Sequence, residues 1–234
     1  MEPSNRTARL AGALYLATAV IAPFALIYVP RTLIVPGDAG ATAERLLAHE
    51  LLFRWGIVAD LVGGTILILA VLLLHRLLSV VSRTQATAMA VLYLVSVPVG
   101  LISTVHQLGA LAVLKGADLF AAFGEPQREA LAMLLIRLGS PAVVVAELFW
   151  GLWLFPFGML VIRSGFLPRA LGVLLIVNGC AYVALSITSL LLPGSAGALE
   201  AYLFPALLGE LWIALWLVVR GIRLPPAAAV PQRS

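Results

Sequence analysis

The chain has 234 residues, 62% of them hydrophobic and 11% charged, with a mean hydropathy of +1.07 and a formal net charge of +4. Soluble domains carry roughly 25% charged and 45–50% apolar residues, so this composition excludes a soluble fold and makes lipid the solvent. A single cysteine, Cys180, excludes an intrachain disulfide and any multi-cysteine metal site; lying in an apolar run, it reads as a buried, inert thiol.

Apolar runs of about 20 residues cross a hydrocarbon core about 30 Å thick. Six such runs predict an all-α integral membrane protein, a bundle of six transmembrane helices: Leu10–Val29, Leu51–Leu74, Ala86–Leu114, Leu138–Ile162, Ala170–Leu192 and Ala201–Val219. The first follows Arg6 and Arg9, as a signal peptide would, but its apolar run is too long and ends in no small-x-small site. It is expected to be a retained helix. Next, "VPGDAGATAERLLAHELLFR" predicts an amphipathic outer-surface helix with Thr42 as its N-cap.

The second span carries Asp60 near Gly56, Gly63 and Gly64. The third has Ser96, Gly100, Ser103 and Gln107 at helical spacing, with His106 adjacent. A second amphipathic segment, after Pro126, leads into the fourth span, where Ser140 and Gly151 flank Glu147. Trp150 and Trp153 lie one turn from Glu147, too deep for an interfacial belt, and are candidates for a pocket wall. Asn178, Tyr182, Ser186 and Ser189 line one face of the fifth span, and Glu210 sits in the sixth. Pro98, Pro141, Pro156 and Pro205 interrupt spans three, four and six. Residues 1–222 thus read as one transmembrane domain, and the proline-rich 223–234 as a disordered cytoplasmic tail.

Basic residues orient the bundle. One set of span ends carries Arg6, Arg9, Arg76, Arg83, Arg163, Arg169, Arg220, Arg223 and Arg233, with Glu2 its one acid. At the other ends Arg31, Arg45, Arg54, Lys115, Arg128 and Arg137 are offset by seven acids. The positive-inside rule places both termini in the cytoplasm. The excess of positive charge is therefore a topology signal, and no concentrated basic patch points to nucleic acid as a partner.

Asp60, Glu147 and Glu210 each lie nine residues in from the outer end of their span, and His106 lies eight in. At 1.5 Å per residue, all four are roughly 12–14 Å below the outer edge. A charge at mid-bilayer costs about 2.5–3.5 kcal/mol on insertion scales, so such groups face a bundle interior. Asp60, His106, Glu147 and Glu210 are accordingly expected to line one outward-facing polar site. Arg54, Arg137 and Gln107 are further ligand- or proton-binding candidates, with Trp150, Trp153, Asn178 and Tyr182 as the wall. Neither catalytic nor metal-ligating residues can be assigned, and no cofactor is expected.

"RLAGALYL" at Arg9 and "RALGVLLI" at Arg169 open spans one and five alike; each hairpin turns at Pro-Gly, and acids ten residues apart follow, Glu50 and Asp60, then Glu200 and Glu210. This suggests a parallel repeat of two helical hairpins. Several strings, among them "LIVPGDAGATAERLLAHELLFRWGIVADL", "RSGFLPRALGVLLIVNGCAY" and "LFPALLGELWIALWLVVRG", resemble a bacterial family of multi-spanning membrane proteins classed only as a domain of unknown function. The resemblance runs from about Arg9 to Gly221. It implies the multi-pass topology and a bacterial cytoplasmic-membrane location, and supplies no reaction, substrate or cofactor. A fourth-span histidine often seen in that family around positions 140–152 has no counterpart here.

Three functions compete. The favoured one is a small transporter or ligand-binding membrane protein, with a small molecule or proton as ligand; six helices are few for a transporter, which suggests a homo-dimer. The second is an intramembrane, metal-dependent enzyme, in which one histidine and three acids would hold zinc or a harder cation. No span offers a His-x-x-x-His or Glu-x-x-His pair, so the balance leans against an enzyme. The third is an accessory subunit of another membrane complex.

Overall fold

The computed structural model describes residues 4–116, 120 and 122–222, and every regular element among them is helical. The predicted disordered tail, 223–234, lies outside the described residues. The first rod is α1 (Asn5–Pro23), a π-helical turn (Phe24–Tyr28) and α2 (Val29–Leu33). Pro30 clashes with the carbonyl four residues back, at Leu26, inside the π turn, which takes up the strain without ending the rod. There follow the short α3 (Ala39–Ala48), α4 (Glu50–Leu78) and α5 (Arg83–Lys115).

The fourth rod is broken into α6 (Glu125–Leu152) and α7 (Leu154–Ser164). Pro156 explains the position of the break, because its ring displaces the carbonyl of Leu152. Gly165 ends α7 in the left-handed conformation, φ 71°. Then come α8 (Arg169–Leu191), α9 (Ala196–Leu207) and α10 (Gly209–Val219). Among the described residues five rods are long and apolar enough to cross a membrane: Asn5–Leu33, Glu50–Leu78, Arg83–Lys115, Glu125–Ser164 and Arg169–Leu191. The expected sixth span is interrupted at Leu208, and Gly209–Val219 is shorter than a spanning helix.

The rods close into a ring, in which α1 packs on α4, α4 on α5, α5 on α6, α6 on α8, α8 on α10, and α10 back on α1. The break before α7 turns the lower half of the fourth rod into the middle of this ring. Trp153, Leu154, Phe157, Leu160 and Val161 are there sealed from the surface. Ring closure is visible at the chain ends, where the Ile222 N–H donates to Asn5 Oδ1 at 2.7 Å.

Where helices approach most closely, the contact residue is glycine. A Cβ on Gly158 would lie 2.6 Å from the Gly172 carbonyl oxygen, and one on Gly172 2.5 Å from that of Gly158. Gly151 and Gly179 face each other in the same way at 2.7 and 2.8 Å. Glycines seven apart on α6–α7 thus meet glycines seven apart on the antiparallel α8, letting the backbones touch as small-residue membrane interfaces do. Gly12 brings α1 within 2.6 Å of Leu217 Cβ on α10, measured from where its own Cβ would be.

Two expectations are corrected. Asp38, not Thr42, caps α3, its Oδ1 accepting from the Ala41 N–H at 2.9 Å. Thr42 lies one turn inside, where its buried Oγ1 donates to the Asp38 carbonyl at 2.7 Å and accepts from the Val35 N–H at 3.0 Å. A carboxylate at the cap also sits favourably against the helix dipole. Cys180 is exposed rather than buried, on the same outer flank as Val173 and Val177. Its apolar surroundings in the sequence are those of a lipid-facing stripe. The two amphipathic segments also differ: α3 is a separate helix, parted from α4 at His49 (φ −121°, ψ 37°), whereas the segment after Pro126 runs unbroken into α6.

Candidate functional site

Two apolar clusters fill the ring at different levels. At the α3 end, Val29, Leu33, Leu46, Phe53, Ile57, Ala110, Leu111, Ala132 and Ile136 pack together, with Leu46 of α3 wholly buried among them. Toward the other end a larger cluster holds Ala11, Tyr15, Leu74, Met89, Tyr93, Trp153, Phe157, Leu175 and Ile213. Between them every long rod turns polar: Thr18 on α1, Asp60 on α4, Ser96, Ser103 and Thr104 on α5, Glu147 on α6, Asn178 and Ser186 on α8, Glu210 on α10.

Within the layer the four expected partners occupy different seams. Asp60 faces α5 and accepts a long bond from Thr104 Oγ1, 3.5 Å to Oδ2. His106 is two residues, about 200°, further round α5, where its Cβ packs beside Gly139 of α6. Its Nδ1 lies 2.7 Å from the Ile102 carbonyl of its own helix and meets none of the acids. Glu147 lies on the flank of α6 that meets α8, between Val144, whose carbonyl accepts from Ser186 Oγ, and Gly151. No hydrogen bond reaches its carboxylate among the described residues, and all four groups are partly buried.

Glu210 has the most developed surroundings. The Tyr15 hydroxyl donates to its Oε2, and Asn178 Nδ2 donates to its Oε1 at 2.9 Å, so one carboxylate ties α1, α8 and α10 together. Asn178 is completely buried, and its Oδ1 has no donor among the described residues. The close approach of Gly209 to Leu174 and Asn178, 2.9 and 3.0 Å from a Cβ placed there, brings the start of α10 against α8 and positions this contact.

Tyr15 leans on Trp153, ring centroids 6.0 Å apart, and Tyr93 also leans on it at 5.4 Å. The Tyr93 hydroxyl reaches the Gly64 carbonyl on α4 at 3.5 Å. Trp153 is therefore a central packing residue rather than the wall of a cavity. Trp150 stands edge-on to Tyr182 at 6.2 Å, beside Glu147.

The remaining candidates lie elsewhere. Arg54 pairs with Glu50, one turn toward α3, at 2.7 Å, and Lys115 joins the same carboxylate at 2.7 Å. Arg137 is exposed and makes no ion pair among the described residues, and Gln107 Nε2 reaches only Ser103 Oγ at 3.4 Å. Two open clefts at the α3 end, one lined by Arg54, Leu108, Leu111 and Lys115 and one by Leu51, Arg54, Trp55 and Val58, touch none of Asp60, His106, Glu147 and Glu210. No three His, Cys, Asp or Glu side chains among the described residues come together as a metal site. Tyr15 and Thr104 are the partners that the sequence reading passed over. Both are hydroxyl-bearing residues inside apolar runs, and matching them by depth to the acids would have found them.

The two hairpins of the suggested repeat also differ in their polar contacts. Asp60 turns to a third rod, α5, while Glu210 turns to α1 and to its own hairpin partner α8.

Comparison with known proteins agrees with the resemblance and adds no activity. A protein of Archaeoglobus fulgidus, described only as uncharacterised, is 35% identical over 85 residues, which is 36% of this chain. The match spans about half, 49%, of that relative's length. No solved structure matches. The family model for the domain of unknown function DUF4386 matches residues 10–221, nearly the whole helical ring, and the chain belongs to that family of membrane proteins.

Proposed function

We propose that this protein crosses the bacterial cytoplasmic membrane six times with both ends in the cytoplasm, and that it binds protons or a small cationic molecule at acids inside the ring, in the manner of a small transporter. The observation that carries the reading is the absence of basic partners. Among the described residues the only ion pairs are those of Glu50 with Arg54 and Lys115. Asp60, Glu147 and Glu210 are left with hydroxyl or amide donors or with none. A purely architectural network would be expected to pair its buried charges, because an uncompensated one is costly. Acids held in a membrane interior without a cation suit a proton or cation that comes and goes.

The Glu210 corner has the chemistry for this. Asn178 Oδ1 and the Glu210 carboxylate offer acceptor oxygens at one spot, and the open acceptor suits an N–H-bearing cation. A proton on Glu210 serves equally once the amide is turned over, since its O and N are assigned from the bonding pattern. The α3 end is closed by apolar packing around Leu46, so the reading is of an occluded state in which α3 would have to move to admit a ligand from outside.

Support for six crossings comes from the Asn5–Ile222 contact, because ends that meet lie on one side of a membrane and require an even number of crossings. The broken rod α9–α10 would then be the sixth, its break at Leu208 falling beside the polar layer, as in discontinuous transporter helices.

The test is labelling of the purified protein in membranes with an apolar carbodiimide, which reacts with protonated carboxyls shielded from water. Glu147 or Glu210 should be modified, less as pH rises, and a small amine should protect. If folded protein shows no modification of any of the three acids between pH 5 and 9, the proton- and cation-binding reading is wrong.

A further inference from the structure

At the α3 end of the ring the seam between α4 and α5 opens into a cleft of about 400 Å³. Its mouth carries Arg54 and Lys115, and its walls are Leu108, Leu111, Ala112 and Phe120. A smaller groove of about 220 Å³ shares Arg54 and continues along Leu51, Trp55 and Val58. These last three are 69%, 57% and 43% exposed, a contiguous apolar flank on a helix of membrane-spanning length.

Among the described residues the charges at the mouth do not cancel: one carboxylate, Glu50, holds both Arg54 Nε and Lys115 Nζ at 2.7 Å, which leaves one net positive charge. Only Nε of the Arg54 guanidinium is engaged; its terminal nitrogens have no partner among the described residues. Both basic side chains remain about half exposed, at 48%. A planar fork of N–H donors beside an ammonium matches a phosphate group. The exposed indole of Trp55 next to it is the usual marker of the headgroup level.

We propose that this cleft is a binding site for one anionic phospholipid, its phosphate held by Arg54 and Lys115 and an acyl chain lying along the Leu108–Leu111 wall. The apolar walls select a lipid over a free anion, which needs only the rim. The net positive charge selects an anionic headgroup over a zwitterionic one. Glu50 then has a definite role. It fixes the two cations in place and at the same time weakens the site, so its removal should tighten lipid binding. The site is independent of the acids in the polar layer and of the direction in which the chain is inserted.

The experiment uses the full chain in nanodiscs of phosphatidylcholine, with phosphatidylglycerol introduced at increasing fractions. Retained lipid is read by native mass spectrometry and melting is followed in parallel. Phosphatidylglycerol should be retained preferentially and should raise the melting temperature. Arg54→Gln and Lys115→Gln should each lower the preference about fivefold, the effect of one basic residue near an anionic surface. Glu50→Gln should raise it. A triad that serves only to tie α4 to α5 predicts something else: all three variants melt lower and lipid preference does not move. That result, or a preference lowered by Glu50→Gln as by Arg54→Gln, overturns the proposal. So does equal stabilisation by inorganic phosphate alone, or a cleft protected by self-association whatever the lipid. Where Lys115→Gln does not fold, the opposed signs of Arg54→Gln and Glu50→Gln still decide.

Discussion

The Asn5 side chain accepts a hydrogen bond from the Ile222 backbone N–H, joining the start of the first helix to the end of the last across 217 residues. Gly221, at φ 65°, turns the chain to make this contact, and its left-handed conformation is one that only glycine adopts without strain. In the proposed six-crossing topology, ends that touch emerge on the same side of the bilayer. In a Cys180→Ala background, cysteines introduced at Ser4 and at Asp38 should react with a membrane-impermeant maleimide from opposite sides, position 4 from the cytoplasm. Labelling of both from one side would remove the six-crossing topology, and labelling of position 4 from outside would invert it.

The antiparallel glycine pairs predict sharp position dependence. Gly158→Ala puts a methyl group 2.6 Å from the Gly172 carbonyl and 2.7 Å from Ile176 Cγ1, with backbone on one side that cannot swing away. Overpacking of this kind costs about 1–3 kcal/mol. Gly64→Ala meets nothing within 4 Å and replaces a helix-interior glycine, which should gain about 0.5–1 kcal/mol. Melting in detergent should therefore fall for the first and hold or rise for the second. Equal effects at both sites would mean that α7 and α8 are not in backbone contact.

Much of this architecture was legible from hydropathy alone, because lipid admits few solutions. Four of the long rods begin and end within about five residues of the predicted spans, while the fourth begins at Glu125, thirteen residues before the predicted Leu138. What could not be read was direction around each helix. His106 and Thr104 are two residues apart on α5, yet Thr104 reaches Asp60 while His106 turns toward Gly139. Depth follows from counting, whereas facing depends on which rods are neighbours, and that was settled by glycine contacts whose partners are far apart in sequence. The position of Trp153 illustrates the same limit. Pro156 announces a break, but not that the segment after it swings to the centre and is sealed there. Similarly, Cys180 could not be assigned to the core or to lipid, since both are apolar.

The cap on α3 provides a test of how firmly the α3 end is closed. Asp38→Ala removes the bond to the Ala41 N–H, a loss of about 1 kcal/mol for a helix cap. Thr42→Val leaves the part-buried Val35 N–H without its acceptor, which costs up to about 1–3 kcal/mol. Amide exchange over Ala39–Ala48 should accelerate in both variants, more in Thr42→Val, with exchange in α8 unchanged. Acceleration spread evenly over the whole chain would show that α3 does not open separately.

Asp60 and Glu210 should respond differently to neutralisation, because their partners differ. Asp60 accepts one long bond from Thr104, so Asp60→Asn keeps an acceptor in place and loses little; melting should stay near that of the parent protein. Glu210 accepts from two donors at once, the Tyr15 hydroxyl and the Asn178 amide. In Glu210→Gln the new NH₂ group faces either the Tyr15 hydroxyl or the Asn178 Nδ2, and with the Asn178 amide in its present orientation a part-buried polar atom is left unsatisfied, at up to about 1–3 kcal/mol. Tyr15→Phe added to Glu210→Gln removes one opposing donor and should restore part of that loss. If the acids carry function, Asp60→Asn should abolish proton or cation binding while the protein remains folded. If they are architectural, any loss of binding should track the fall in melting and be larger for Glu210→Gln. An Asp60→Asn protein that is both fully stable and fully competent in binding would take Asp60 out of the site and leave Glu210 and Glu147 as its remaining acids.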